Sequence, residues 1–169
     1  MSAAQSERWR ALGERAGSRF EARPSGLHGY QLAAVGGGEF GRLELHGLKG
    51  ARFRAGDLEA GIARRGIWRL RYGMTSDGEE ILRAGTERFL SGIWRAEYLG
   101  RGYRIRPGLL KREASVSSAS GEEIARISGR SAGRSYEISL NSPGAMPVVI
   151  FAVYQIIALQ RRAYLTGRL

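Results

Sequence analysis

Between residues 30 and 140 apolar and polar positions alternate with a period of two. Leu43 and Leu45 alternate with Arg42, Glu44 and His46, and Ala51, Phe53 and Ala55 with Arg52 and Arg54. Trp68, Leu70 and Tyr72 alternate with Arg69 and Arg71, Tyr103 and Ile105 with Arg104 and Arg106, and Tyr136, Ile138 and Leu140 with Glu137 and Ser139. Each run predicts a short strand with one buried face. Turn signals separate the runs: Gly36-Gly37-Gly38, His46-Gly47, Ser76-Asp77-Gly78, Gly100-Arg101-Gly102 and Ser120-Gly121. Many short strands at this spacing predict a sandwich or a barrel.

The flanks of this region differ from it. Over residues 2–17, Trp9, Leu12 and Ala16 share one helical face while Glu7, Arg8, Arg10, Glu14 and Arg15 lie elsewhere, which predicts a short amphipathic helix. A loop with Pro24, Ser25, Gly26 and Gly29 follows, so residues 1–29 read as a helix and linker ahead of a body spanning 30–169. At the other end, Ala145 to Leu159 is apolar on all sides except at Gln155 and the Tyr154 hydroxyl. Pro147 suits a first helical turn, and Arg161 and Arg162 complement the helix dipole at the far end. A helix over about 147–163 is expected, and an all-apolar helix must be enclosed by protein or lipid. Its apolar run of ~22 Å falls short of a ~30 Å bilayer core, which favours burial inside the strand-rich body over a membrane tail anchor. Enclosure requires Gln155 to find a hydrogen-bond partner.

One phrase occurs twice. Asp77-Gly78-Glu79-Glu80-Ile81-Leu82-Arg83 is echoed 43 residues later by Ser120-Gly121-Glu122-Glu123-Ile124-Ala125-Arg126. Both copies read as the turn and second strand of a hairpin. Adjacent strand positions face opposite ways, so neither Glu-Glu doublet aims two carboxylates at one point.

Composition narrows the chemistry. The 169 residues hold no cysteine, which removes disulfides, thiolate metal sites and cysteine nucleophiles. His28 and His46 are the only histidines and lack ligand spacing, so no metal site is expected. Gly36-x-Gly38-x-x-Gly41 has the spacing of a dinucleotide fingerprint but precedes a strand pattern, not a helix, and reads as a glycine-rich hairpin. Neither a P-loop nor a Gly-x-Ser-x-Gly elbow occurs, and Ser131 and Ser135 have no assignable base. No catalytic residue and no cofactor is therefore predicted, and the chain reads as a non-enzymatic module. Met1-Ser2-Ala3-Ala4-Gln5 leads into charged residues, not an apolar stretch, so a cytoplasmic, bacterial protein is expected.

The net charge is +11 and favours anionic partners. All but Lys49 and Lys111 of its 27 basic residues are arginines, a usage that a GC-rich genome also produces. Arg52/Arg54, Arg69/Arg71 and Arg104/Arg106 occupy alternate strand positions opposite the apolar face. On neighbouring strands they would form a cationic outer patch able to fork onto phosphate oxygens.

A strand-rich body, a Trp-led strand with an Asp-Gly hairpin (Trp68 to Leu82), its echo at Ser120 to Ile127, and the apolar segment Pro147 to Arg162 together resemble the tubby C-terminal-like superfamily. The likeness is to its phospholipid scramblase-like and LURP-one-related branch and covers roughly residues 30–163. The resemblance implies an antiparallel barrel of about twelve strands around a central C-terminal helix, and contact with membrane phosphoinositides or phospholipids. The chain departs from scramblase-like members: it has no cysteine-rich lipidation stretch, four prolines, and only Asp57 and Asp77 as aspartates. No calcium site, lipidation or scrambling activity carries over. The resulting expectation is an anionic phospholipid surface as partner, peripheral to the inner face of the membrane. Nucleic acid, through aromatics such as Trp68, Tyr72, Trp94, Tyr98 and Tyr103, is the alternative, less favoured because the strand aromatics lie on the apolar face.

Overall fold

The computed structural model describes residues 1–47, 49–66, 70–87, 92–108, 112–130 and 134–165, with side chains described as far as Arg161. Helix α1 (Ala3–Ala16) starts where the Ser2 hydroxyl accepts from the Gln5 backbone N–H, and ends at Gly17 with φ +72°. Twelve strands follow: β1 (Arg19–Ser25), β2 (Gly29–Ala34), β3 (Glu39–Leu45), β4 (Gly50–Ala55), β5 (Leu58–Arg65), β6 (Arg71–Ser76), β7 (Glu79–Thr86), β8 (Trp94–Tyr98), β9 (Arg101–Gly108), β10 (Glu113–Ser118), β11 (Glu123–Gly129) and β12 (Tyr136–Leu140). A short 3₁₀ turn (Pro143–Ala145) leads into helix α2 (Met146–Leu165). Each strand pairs antiparallel with its sequence neighbours, and β12 closes on β1, giving an up-and-down barrel without an edge.

The period-two pattern becomes an inside and an outside. Leu43, Phe53, Tyr72, Ile105 and Ile138 are buried, while the arginines between them face out. Helix α2 fills the lumen. Every side chain from Val148 to Ile157 is 3% exposed or less, and Tyr72 and Trp94 pack on Phe151 at ring-centroid distances of 5.9 and 6.0 Å. The segment 143–161 is long and apolar enough to cross a membrane, yet its apolar surface is covered by the barrel. This answers the question left open by its length.

Three expectations need correction. Residues 19–25 form β1 and are not a linker, so the barrel begins before residue 30. The alternation there is broken because Glu21 is buried, held by Arg23 at 2.6 Å and Arg130 at 3.0 Å. Pro24 adds to the disguise. It sits beyond the stretch that pairs with β12, where its missing N–H breaks no ladder bond on that side. Second, the Gln155 Nε2 is buried and has no hydrogen-bond partner among the described residues. Third, the Trp-led strand begins at Arg71 in the structure, and Trp68 and Arg69 lie outside the described residues.

The echoed phrase is part of a larger repeat. In the β6–β7 hairpin Met74 opposes Leu82 and Thr75 opposes Glu80, so Ile81 is an extra residue, a β-bulge. In β10–β11 Val116 opposes Ala125 and Ser117 opposes Glu123, leaving Ile124 extra. The β2–β3 hairpin does the same with Phe40, between Leu32–Gly41 and Ala33–Glu39. Each bulge turns two successive residues inward: Phe40 and Gly41, Ile81 and Leu82, Ile124 and Ala125. A glutamate before each bulge pairs with an arginine three positions on: Glu39–Arg42, Glu80–Arg83 and Glu123–Arg126. The glycine-rich Gly36–Gly41 segment is thus the first copy of this hairpin. The copies fall on every fourth strand, so three apolar wedges thicken the same end of the barrel at even intervals.

Helix α1 covers that end. Trp9 is fully buried and stacks on Phe53 at 5.6 Å. The Gln5 side chain donates to the Ser76 carbonyl at 2.8 Å, and Arg15 to the Phe40 carbonyl at 3.2 Å. Arg8 bridges Asp57 and Asp77, in the β4–β5 and β6–β7 turns. Gly13 permits the closest approach: a Cβ there would lie 2.3 Å from the Pro143 carbonyl oxygen.

Candidate functional site at the barrel mouth

The opposite end of the barrel is built differently. Helix α2 runs from the α1 end toward it and brings Ile157, Gln160 and Arg161 against Tyr30 on β2, Tyr136 on β12, and Arg112 just ahead of β10. With Arg134, these residues line a cavity of about 230 Å³. The Gln160 Oε1 accepts from the Tyr136 hydroxyl at 2.5 Å and from Arg112 Nε at 2.9 Å, which lays the Arg112 guanidinium over the Tyr136 ring, 5.3 Å from its centroid. Arg161 is placed in parallel fashion, 5.8 Å from the Tyr30 centroid, donating to the Leu27 carbonyl at 3.1 Å. The two tyrosine rings lie 6.3 Å apart.

Arg112 is held in a costly conformation. Its φ is +51°, a left-handed geometry that residues other than glycine, asparagine and aspartate seldom adopt. It is backed against Gly129, where a Cβ would lie 2.8 Å from the Arg112 Cβ, and its Nη1 donates to the Arg130 carbonyl at 3.1 Å. The strand ends over-determine this residue and aim its charge at the cavity.

Among the described residues, Arg112, Arg134 and Arg161 have no carboxylate within ion-pair distance. Their field is visible on Tyr30. Burial pushes its hydroxyl up from the ordinary tyrosine value, while Arg161, Arg134 and Arg112 oppose the shift. Beside the cavity, the β1–β2 turn carries Leu27, 87% exposed and the most exposed large apolar side chain described. A cationic mouth with an apolar tip can grip an oxyanion and place a hydrocarbon surface next to it.

The arginine pairs read from the sequence do not form one patch. Arg52 and Arg54 face out from β4, and both reach Glu59. Arg71 is on β6, separated from β4 by β5, and Arg104 and Arg106 are on β9, three strands further round. Arg104 lies 3.7 Å from Glu87. Arg69 lies outside the described residues. The mouth cluster was missed because its members come from four separate stretches of chain. The one signal for it, Arg161 after the apolar run, also satisfies the helix dipole and so points to no site. Among the described residues no three His, Cys, Asp or Glu side chains gather as metal ligands.

Comparison with family models and with curated proteins gives no match. Among solved structures the chain is similar to the X-ray structure of a protein from Arabidopsis thaliana, AT5G01750. The TM-score is 0.58 at 11% identity, over 85% of this chain and 94% of that one. At this identity the likeness concerns the fold alone.

Proposed function

We propose that the protein is a non-enzymatic module of the scramblase-like and LURP-one-related branch that docks, mouth first, on anionic phospholipid at the inner face of the membrane. The observation that carries this reading is the mouth itself: three arginines without a carboxylate partner among the described residues, around one cavity, beside the exposed Leu27. Each arginine near an acidic bilayer contributes about 1 kcal/mol of attraction. Burying Leu27 in the interfacial region adds up to about 2 kcal/mol. Shape favours the mouth over the flank, because a convex barrel wall meets a plane along a line, whereas a ring of strand ends meets it as a face. The strand aromatics Tyr72, Trp94, Tyr98 and Tyr103 are all buried, which removes the stacking platform that the nucleic-acid alternative needs from them.

Co-sedimentation with vesicles tests the reading. Vesicles containing phosphatidylglycerol are expected to retain the protein at low salt and pure phosphatidylcholine vesicles to leave it in solution. The variant Arg112→Gln/Arg134→Gln/Arg161→Gln is expected to lose the retention. Equal binding to both vesicles, or full retention of the triple variant, overturns the proposal.

A further inference from the structure

A second feature lies on the barrel flank, away from the mouth cavity. Across β5 to β9 the outward positions in one layer are, in register, Arg65, Arg71, Gly85, Arg95 and Arg104. Arg65 directly faces Arg71, and Arg95 directly faces Arg104. Like charges directly opposed on neighbouring strands destabilise a sheet. Elsewhere on the exterior the register is complementary: Glu44 faces Arg52, Glu59 faces Arg54, and Glu97 faces Arg83. Arg42 and Arg54 also face each other, but each reaches a glutamate, Arg42 to Glu39 at 3.8 Å and Arg54 to Glu59 at 3.5 Å, the latter shared with Arg52. In the flank row, Arg65 lies 3.1 Å from Glu80, Arg95 and Arg104 share Glu87, and Arg71 has no carboxylate partner among the described residues.

Glycines form the floor between these arginines. Gly85 sits in the middle of the row and Gly102 in the next layer, within a trough of about 650 Å³ bordered by four arginines, Arg65, Arg71, Arg83 and Arg95, against two glutamates, Glu80 and Glu97. Glycine inside a strand weakens it, and neither position needs glycine for the fold. Both lack a positive φ, and a Cβ would meet nothing closer than 3.7 Å at Gly85 or 3.8 Å at Gly102. Absent a demand from the fold, a bare strand marks a place where another backbone comes close.

We propose that this trough binds an extended, carboxylate-rich segment of a partner protein, whose acidic side chains bridge the facing arginines while its backbone lies over Gly85 and Gly102. Carboxylates accept two guanidinium donors at once, so an acidic side chain placed between Arg65 and Arg71 supplies the carboxylate that Arg71 lacks. A peptide suits the trough better than a nucleic acid, because the one aromatic residue lining it, Tyr72, is 5% exposed and packs into the lumen.

The experiment is fluorescence anisotropy of a labelled oligo-glutamate peptide at low salt, against a Gly-Ser peptide and an oligothymidylate. The glutamate peptide is expected to bind the native protein more tightly than either competitor. Gly85→Leu, which fills the floor, and Arg71→Gln, which removes an arginine without a carboxylate partner, are each expected to weaken it about tenfold. The mouth variant Arg112→Gln/Arg134→Gln/Arg161→Gln is expected to bind the peptide normally, so failure here and failure of lipid docking are read separately. Gly85→Ala, sterically mild, serves if Gly85→Leu alters the circular dichroism spectrum, and is expected to weaken binding less. Peptide affinity unchanged in Arg71→Gln and in the folded Gly85 variant, no binding to the native protein, or tighter binding of the oligothymidylate overturns the proposal.

Discussion

The two ends of the barrel use the same residue type for opposite purposes. At the α1 end Arg8 is answered by Asp57 and Asp77, and the lid is held by the buried Trp9 and by side-chain bonds to Ser76 and Phe40 carbonyls. At the mouth Arg112, Arg134 and Arg161 converge with tyrosines and a glutamine and have no carboxylate partner among the described residues. One end is finished internally, while at the other the arginines have no answering carboxylate among the described residues. Which acids stand opposite an arginine therefore says more about its role than how many arginines the chain has. The net charge of +11 alone does not distinguish the two ends.

The comparison breaks first if the lumen does not depend on α2. Removing residues 145–169 is expected to abolish the cooperative unfolding transition and leave an aggregating remnant, because the inward faces of twelve strands lose their cover. A soluble fragment that melts cooperatively would sink the architecture on which both ends rest. Next in size, Phe151→Ala and Trp9→Ala are each expected to cost about 3–5 kcal/mol in denaturant unfolding, since both side chains are fully buried. Trp9→Ala thus tests whether the lid is part of the core or an ornament on it. In contrast, the triple Arg→Gln change at the mouth is expected to cost no more than about 1–2 kcal/mol, for the lost bonds of Arg112 and Arg161, while removing vesicle binding. Arg8→Ala is expected to cost at most about 1 kcal/mol, as its ion pairs are partly exposed, and to leave vesicle binding intact.

The smallest effect separates the ends by their tyrosines. Burial pushes the Tyr98 hydroxyl, beside α1, up to about 12. A raised folded value means that Tyr98's contribution to stability is complete below pH 10 and is lost as pH rises toward 12. At the mouth, burial also raises Tyr30, but three arginines restrain the shift. Arg161→Gln is expected to move Tyr30 further up and to leave Tyr98 unmoved, which NMR titration of the two rings reads directly. A shift of both, or of neither, would remove the electrostatic distinction between the ends.

Much of the body was legible because a closed barrel converts local alternation directly into inside and outside. The strands at 43–45, 51–55, 103–105 and 136–140 follow from periodicity, and the enclosed helix from a run apolar on all sides yet short of a bilayer core. The strand at 19–25 did not, because a buried glutamate and a proline contradict the pattern and only the distant Arg130 explains the first. The first copy of the bulged hairpin, in β2–β3, was hidden for a similar reason. Phe40 and Gly41 replace Ile-Leu or Ile-Ala, so the likeness lies in register and not in residue identity. The mouth was out of reach altogether. Tyr30, Arg112, Tyr136 and Arg161 meet only when β12 closes on β1 and α2 threads the lumen.

The position of α2 after the twelve strands in the chain has a consequence for synthesis. A ribosome adds about 5–20 residues per second, so every strand has been made, and for some seconds waits, before the segment that fills the lumen exists. The nascent strands carry their full complement of inward apolar residues with nothing yet to set them against. Closure of the ring and insertion of the helix are thus expected to be one late event, and the interval before it is when this protein most needs shelter from its neighbours. Ribosome-bound chains halted before residue 145 should bind holdase chaperones, and chains halted well beyond residue 169 by a neutral linker should release them.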